Sequence, residues 1–228
     1  MAGKGNSRHM GRLAASNYMR LHRKASKYVA KPNPGRHTLE NNISLITLLK
    51  EKMGVAADSR EARILIKKGD VSVNGKLVRD WRYPVGFGDT VSFGSNGESY
   101  RIDVARHGVI RVERCSDPAK PRPIKVIGKY IGSGGRIMIR LYDGAVIEGK
   151  SEVMVNDSVN VKEGKVESVI RFAKGAKCYV IKGTHSSESG TVKDVIGGTS
   201  VRAPLVSIDS GKGSFQTLVE NVMVIGEQ

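Results

Sequence analysis

Cysteine is almost missing from this chain of 228 residues: only Cys115 and Cys178 occur, far apart and in no CxxC pair. A disulfide framework and a four-ligand zinc site both lack their ligands, so each Cys reads as a small core hydrophobe in a reducing compartment. Aromatic residues make up 5% of the chain, with a single Trp. No strand carries the aromatic cluster on which a sheet stacks bases, so that mode of binding is not expected. No apolar run approaches the roughly 18 residues of a membrane span. The opening is basic but has no apolar stretch, which excludes a secretory leader. A basic amphipathic helix drawn over residues 12–24 has a thin apolar face of Leu13, Tyr18 and Leu21, so membrane binding is not expected either. His9, His22, His37, His107 and His185 are scattered, and no Cys/His or Ser/His/Asp spacing offers a metal site or a nucleophile. Gly132-Ser133-Gly134-Gly135 lacks the Lys-Ser/Thr of a phosphate loop and no helix signal follows, so a hairpin turn is expected there.

Acidic residues are the most informative absence. Residues 1–39 hold nine cations (Lys4, Arg8, Arg12, Arg20, Arg23, Lys24, Lys27, Lys31 and Arg36) and no Asp or Glu. The whole chain carries +16 at a pI near 10.0. A protein this basic needs an anionic partner, and nucleic acid is the usual one. With 39% hydrophobic residues the chain can still bury real cores. A basic arm ahead of better-balanced domains suits a backbone-binding tail on globular modules. The arm, residues 1–36, ends in the helix-stopping linker Lys31-Pro32-Asn33-Pro34-Gly35. With little apolar surface it is expected to be disordered until RNA neutralises it, and His9, His22 and His37 read as part of it.

Beyond the linker the pattern becomes periodic. Residues 43–53 place Leu45, Ile46, Leu49 and Met53 on one helical face, with Gly54 as the stop. A second helix starts at Asp58, whose spacing to Glu61 resembles a capping box. It buries Ala62, Leu65 and Ile66 and closes at Gly69. Its other face carries Arg60, Arg63 and Lys67 at i, i+3 and i+7, with Lys68 beside them, a ridge that can follow phosphates. A charged stripe is equally what a solvated helix face looks like. Asn74-Gly75 between Val71-Ser-Val73 and Lys76-Leu77-Val78 is the strongest short hairpin signal, because both turn residues need positive φ. Asn74 can offer its amide to a backbone or base edge and Lys76 adds a cation. After residue 70 the chain reads as strands: Val91/Phe93, Tyr100/Ile102/Val104 and Ile137/Ile139/Leu141 alternate with polar residues. Turns are expected at Asp143-Gly144 and Glu163-Gly164, and a loop at 210–213.

The run Ser59-Arg60-Glu61-Ala62-Arg63 through Leu65-Ile66, Gly69, Val71, Val73 and Asn74-Gly75-Lys76 resembles the α-L RNA-binding module named after bacterial small-subunit ribosomal protein four. The pattern continues through Tyr83-Pro84, Gly86, Gly88-Asp89 and Val91. The resemblance implies that Arg60, Arg63, Lys67 and Asn74 face RNA. Gly175-Ala-Lys-Cys-Tyr-Val180-Ile-Lys-Gly183 leading to Gly190-Thr-Val192-Lys193 is similar to a KOW motif, with Ser187 where a further Gly is usual. The opening His9-x-Gly11-Arg12-Leu13-x-Ala15 resembles that of the e-type ribosomal protein four of archaea and eukaryotes. That family usually has a basic residue at the place of Gly11 and Pro at that of Ser16. Val155-Asn156-Asp157, Ile170-Arg-Phe172, Ser214-Phe215 and Asn221 through Ile225-Gly226 fit the same family in order.

Together these readings predict an α+β chain: a basic arm (1–36), a helix–helix–hairpin α-L RNA-binding domain (43–106), a central β domain (107–172) and a KOW, SH3-like barrel (173–228). The resemblance implies a non-enzymatic, ribosome-bound cytoplasmic component of the small subunit. Its partners would be small-subunit rRNA and neighbouring ribosomal proteins, with no cofactor, metal, membrane or small-molecule substrate. The candidate RNA-binding residues are Arg8, His9, Arg12, Arg20, Arg23, Lys24, Arg60, Arg63, Lys67, Lys68, Asn74 and Lys76. An RNA-modifying enzyme such as a pseudouridine synthase would need a catalytic Asp motif after the module, and none is present. A KOW-bearing elongation factor would need a polymerase-binding domain where the arm and α-L module stand.

Overall fold

The computed structural model describes residues 7–94, 97–116, 123–162, 164–211 and 213–226; Lys4, Glu163 and Lys212 lie outside them. The chain divides into two compact units, Met1–Asp103 with Val109–Ala119 and Val104–Gly108 with Lys120–Gln228.

In the first unit β1 (His9–Gly11) pairs antiparallel with β2 (Tyr28–Ala30), His9 opposite Ala30. β3 (Asn42–Ser44) leads directly into α1 (Leu45–Thr47), which continues as a π-type turn over Leu48–Lys52. α2 (Ser59–Lys68) follows, then β4 (Val71–Val73) and β5 (Lys76–Leu77). β6 (Pro84–Gly86) pairs with β3. β7 (Thr90–Phe93), β8 (Ser99–Ala105) and β9 (Val109–Cys115) complete a five-stranded sheet of order β5-β4-β7-β8-β9. Ile43, Leu45, Leu48, Leu49, Ala62, Ile66, Val71 and Val85 are fully buried.

The second unit holds β10 (Pro123–Ile131), β11 (Ile137–Leu141), β12 (Val146–Glu148), β13 (Ser158–Lys162) and β14 (Lys165–Ile170), in the order β12-β11-β10-β13-β14. β15 (Lys177–Val180), β16 (Ser189–Ile196), β17 (Leu205–Ser210), β18 (Gly213–Leu218) and β19 (Val222–Val224) form a further sheet, β18-β17-β16-β15-β19. One apolar cluster gathers Val126, Ile139, Leu141, Ile147, Val153 and Val159. Another gathers Cys178, Val180, Val192, Val206, Ile208, Val219 and Val222. Two motifs quoted from the sequence meet here. Asn156 sits at φ +76°, and the buried Asp157 carboxylate accepts from the Met154 N–H and the Phe172 N–H, both at 2.9 Å. Phe172 packs against the terminal cluster. The Lys125 ammonium is turned inward as well, donating to the carbonyls of Val219 (2.5 Å) and Val222 (2.8 Å). Burial lowers its pKa from 10.5 to about 8.

Three expectations change. The α+β class gives way to a mostly β fold with few helices. Residues 43–44, expected at the head of a helix, form β3, with Ile43 opposite Val85. An apolar run buried on both sides has no period that separates helix from strand. Second, residues 7–36 are ordered rather than a free tail. Tyr18, Met19 and Val29 are buried, Asn33 N–H donates to the Arg82 carbonyl at 2.8 Å, and Arg82 Nε donates back to the Lys31 carbonyl at 2.9 Å. Third, His37 is not a surface cation of the arm. It is buried, its Nε2 2.8 Å from Asp89. The turns fall where expected: Gly144 lies at φ +79° after β11, and Gly134 and Gly135 are left-handed between β10 and β11.

Candidate nucleic-acid interface

α2 owes its start to Asp58, whose Oδ1 accepts the N–H groups of Arg60 (2.7 Å) and Glu61 (2.8 Å). Those two bonds, Glu61 first, hold the Asp58 carboxyl below its ordinary pKa. Glu61 reaches back to accept the Ala57 N–H at 2.7 Å, one residue before the cap, which fixes the chain's entry into the helix. Gly69 ends the helix at φ +85°, a conformation that costs a residue with a Cβ. With Ala62 and Ile66 locked inward, Arg60, Arg63, Lys67 and Lys68 all point to solvent. Among the described residues none of these four pairs with a carboxylate. Asp58 acts on Arg60 only through space, and cations held outside salt bridges on a rigid rod are the arrangement that favours polyanion binding.

The hairpin after α2 turns at Asn74 (φ +50°) and Gly75 (φ +74°), both left-handed as a type I′ turn requires. Lys76 is exposed beside it. Asn74 is exposed on the hairpin, and its amide, expected to face RNA, also makes bonds within the protein: one Nδ2 N–H donates to Asp89 at 2.6 Å and Oδ1 accepts the Thr90 N–H at 2.8 Å. The same Asp89 carboxylate receives the Gly86 N–H (3.0 Å) and His37, so it ties hairpin, β6 and the segment before β3 together.

Arg12 is likewise internal. It is 5% exposed, and its guanidinium forks onto Glu51, with further bonds to Ser26 Oγ (3.0 Å) and the His22 carbonyl. Arg20, Arg23 and Lys24 sit on the exposed return between β1 and β2, Arg20 at φ +38°. Lys52 donates to the Arg20 carbonyl at 3.3 Å, and burial lowers its pKa.

Four of the expected residues, Arg8, His9, Arg63 and Lys67, meet at one cleft of about 590 Å³. Arg20, Arg23, Lys24, Arg60, Lys68 and Lys76 lie outside its lining. The cleft also holds Lys50, Tyr28 and Trp81, which the sequence did not single out. Arg63 lies over the Trp81 indole, its guanidinium carbon 4.3 Å from the ring centre. Trp81, the chain's single Trp, next to a second Arg, was the one signal available. Elsewhere, burial lifts the Cys178 thiol to about 11, as befits a core residue. Among the described residues no group of three or more His, Cys, Asp or Glu could hold a metal ion, and no helix is long and apolar enough to cross a membrane.

Known proteins share this architecture. The S4 domain model matches residues 45–91, which span α1, α2 and the hairpin. The Ribosomal family S4e model matches residues 96–166. The small ribosomal subunit protein eS4 of Methanocella arvoryzae is 33% identical over 96% of this chain and 94% of its own length. Its counterpart from Methanosphaera stadtmanae is 30% identical over 100% of this chain and 95% of its own. The crystal structure of the 30S ribosomal protein S4e from Thermoplasma acidophilum superposes with a TM-score of 0.70 at 25% identity, covering 82% of this chain and 96% of that one. With 30–33% identity along nearly the whole length of these relatives, and with the shared fold, the chain belongs to the eS4 family of small ribosomal subunit proteins.

Proposed function

We propose that the chain is a structural, non-enzymatic constituent of the small ribosomal subunit that binds rRNA and so supports subunit assembly and translation. The observation that carries this is the outward ridge of Arg60, Arg63, Lys67 and Lys68 on a helix capped at both ends, none of the four in a salt bridge among the described residues. Phosphates displace counterions from such a ridge, and the rigid module selects an RNA shape rather than a sequence. Arg8 and His9 beside the cleft, Arg20, Arg23 and Lys24 on the return loop, and Lys76 on the hairpin extend the cationic surface. Arg12 supports it from inside, and the exposed Asn74 braces the hairpin through Asp89.

The finer reading of the second unit is a KOW element. β15, the turns through Gly183 and Ser187, and β16 form a strand–loop–strand. Ser187 stands at φ +73°, where the motif usually has Gly, so its side chain accepts a conformation normally left to Gly. The chain is expected in the cytoplasm, bound to small subunits beside other ribosomal proteins. Sedimentation of cell lysate tests this: the chain should travel with small subunits at low salt. Its remaining at the top of the gradient would refute the reading.

A further inference from the structure

The geometry points to the cleft of the first unit as a slot for one unpaired nucleotide of the RNA, its base flat against the Trp81–Arg63 stack and its phosphates on Arg8, Lys50 and Lys67. This rests on the reading of the chain as an rRNA binder. At about 590 Å³ the cavity lies within the roughly 300–1,000 Å³ of sites that take small-molecule-sized groups. Its lining pairs cations with planar groups. Arg63 already shows that the indole accepts a flat cationic partner, at 4.3 Å. Tyr28 is 52% exposed, with the His9 ring edge-on at 4.8 Å. The one lining carboxylate, Glu51, is occupied by the Arg12 fork, so it does not repel a phosphate. Among the described residues Arg8, Lys50 and Lys67 form no salt bridge, Asp58 acting on Lys50 only through space.

A duplex cannot use such a site. Its bases are stacked inside, and its backbone presents a convex rail that suits the outer ridge of α2 rather than a concave pocket. Single-stranded RNA differs: splayed bases stack on aromatic rings and guanidinium planes. Cations around the rim with flat groups within are therefore the arrangement an extruded base recognises.

Trp81 is the chain's only Trp, so its emission reports the slot directly. The full chain is titrated at fixed salt with a short single-stranded RNA and with a duplex of equal length. Both RNAs are end-labelled so that anisotropy follows binding separately. The single strand should quench Trp81 saturably while the duplex binds without quenching. Trp81→Leu should weaken the single strand about tenfold and leave the duplex within twofold, with Trp81→Phe intermediate because a flat ring is kept. The backbone carbonyl of Trp81 accepts from Ile46 N–H at 3.1 Å, which these variants preserve; because the ring also lies under Arg63 and Arg82, urea unfolding of each variant is measured beside binding, and folding should be retained. Binding of the single strand without any change in Trp81 emission would overturn the slot and leave rRNA binding standing. Equal losses for both RNAs in Trp81→Leu would overturn it too. Failure of both RNAs to bind would remove the underlying reading as well.

Discussion

The segment 7–36 and helix α2 are both strongly cationic, and the fold uses their charge in opposite ways. On α2, Arg60, Arg63, Lys67 and Lys68 all face water. In the N-terminal segment Arg12 is folded under, its side chain 4% exposed and forked onto Glu51 on the turn after α1. Exposed charges contribute little to holding a fold together. A buried pair is different: removing one member leaves the other desolvated and alone. The same residue type at similar density is therefore interface in one region and architecture in the other. Burial, not charge count, separates the two.

The sharpest break of this comparison is Arg12→Ala. It strands Glu51 and leaves two further acceptors, the His22 carbonyl and Ser26 Oγ, without their donor, so the first unit should lose about 3 kcal/mol. Urea unfolding followed by Trp81 fluorescence measures it. The double change Arg12→Ala with Glu51→Ala should recover part of the loss, and strict additivity would show that the pair is not coupled. The next largest effect concerns the module that carries the outward ridge. Gly75→Val forces a β-branched residue to φ +74° and should cost about 2 kcal/mol by the same assay.

Lys125 extends the contrast to the second unit as another inward cation. Its folded pKa of about 8 lies below the ordinary 10.5, so the unfolded chain holds the proton more tightly. The cost of burying the charged form is constant below pH 8 and is relieved as pH rises. Stability should therefore climb between about pH 8 and 10.5, by at most roughly 1.4 kcal/mol per pH unit. The difference between wild type and Lys125→Met isolates this from the other titrating groups. A flat difference across that window would contradict it.

Helix α2 was legible because its period, its Asp58 cap and its Gly69 stop all agree, and the Asn74-Gly75 hairpin because only one turn type suits that dipeptide. The bracing roles of Arg12, His37 and Asn74 were not. Each depends on a partner 15 to 52 residues away in sequence, Asn74 and His37 on Asp89 and Arg12 on Glu51. No local pattern announces such a pairing. Tyr18, Met19 and Val29 follow neither a 3.6 nor a 2 period, so an ordered segment looked like a tail. Lys50 was hidden by lying on the polar side of a helix read for its core. Trp81 sits in a segment with no regular element. Resemblance reached further than pattern, since it covered the chain in order, but it transfers positions and not their partners: Asn74 fits the motif and also holds Asp89 and Thr90 within the protein.

The smallest expected effect on stability is also the most discriminating. Arg60, Arg63 and Lys67 changed together to Ala should leave unfolding within about 0.5 kcal/mol of wild type, because Ala is the best helix former and no ion pair is lost. Arg63 gives up its cation–π contact with Trp81, worth about 0.5–1 kcal/mol at an exposed site, and the helix-propensity gain partly offsets that. RNA binding should respond quite differently. Each phosphate contact releases counterions, so losing three should flatten log K against log salt by about 2–3. Arg12→Ala, measured on the fraction that remains folded, should leave that slope nearly unchanged. The two variants thus cross: one removes stability and keeps the salt dependence, the other keeps stability and removes the salt dependence. A triple variant that binds rRNA with an unaltered slope would place the phosphate contacts elsewhere on the surface, and the ridge on α2 would then be a solvated face.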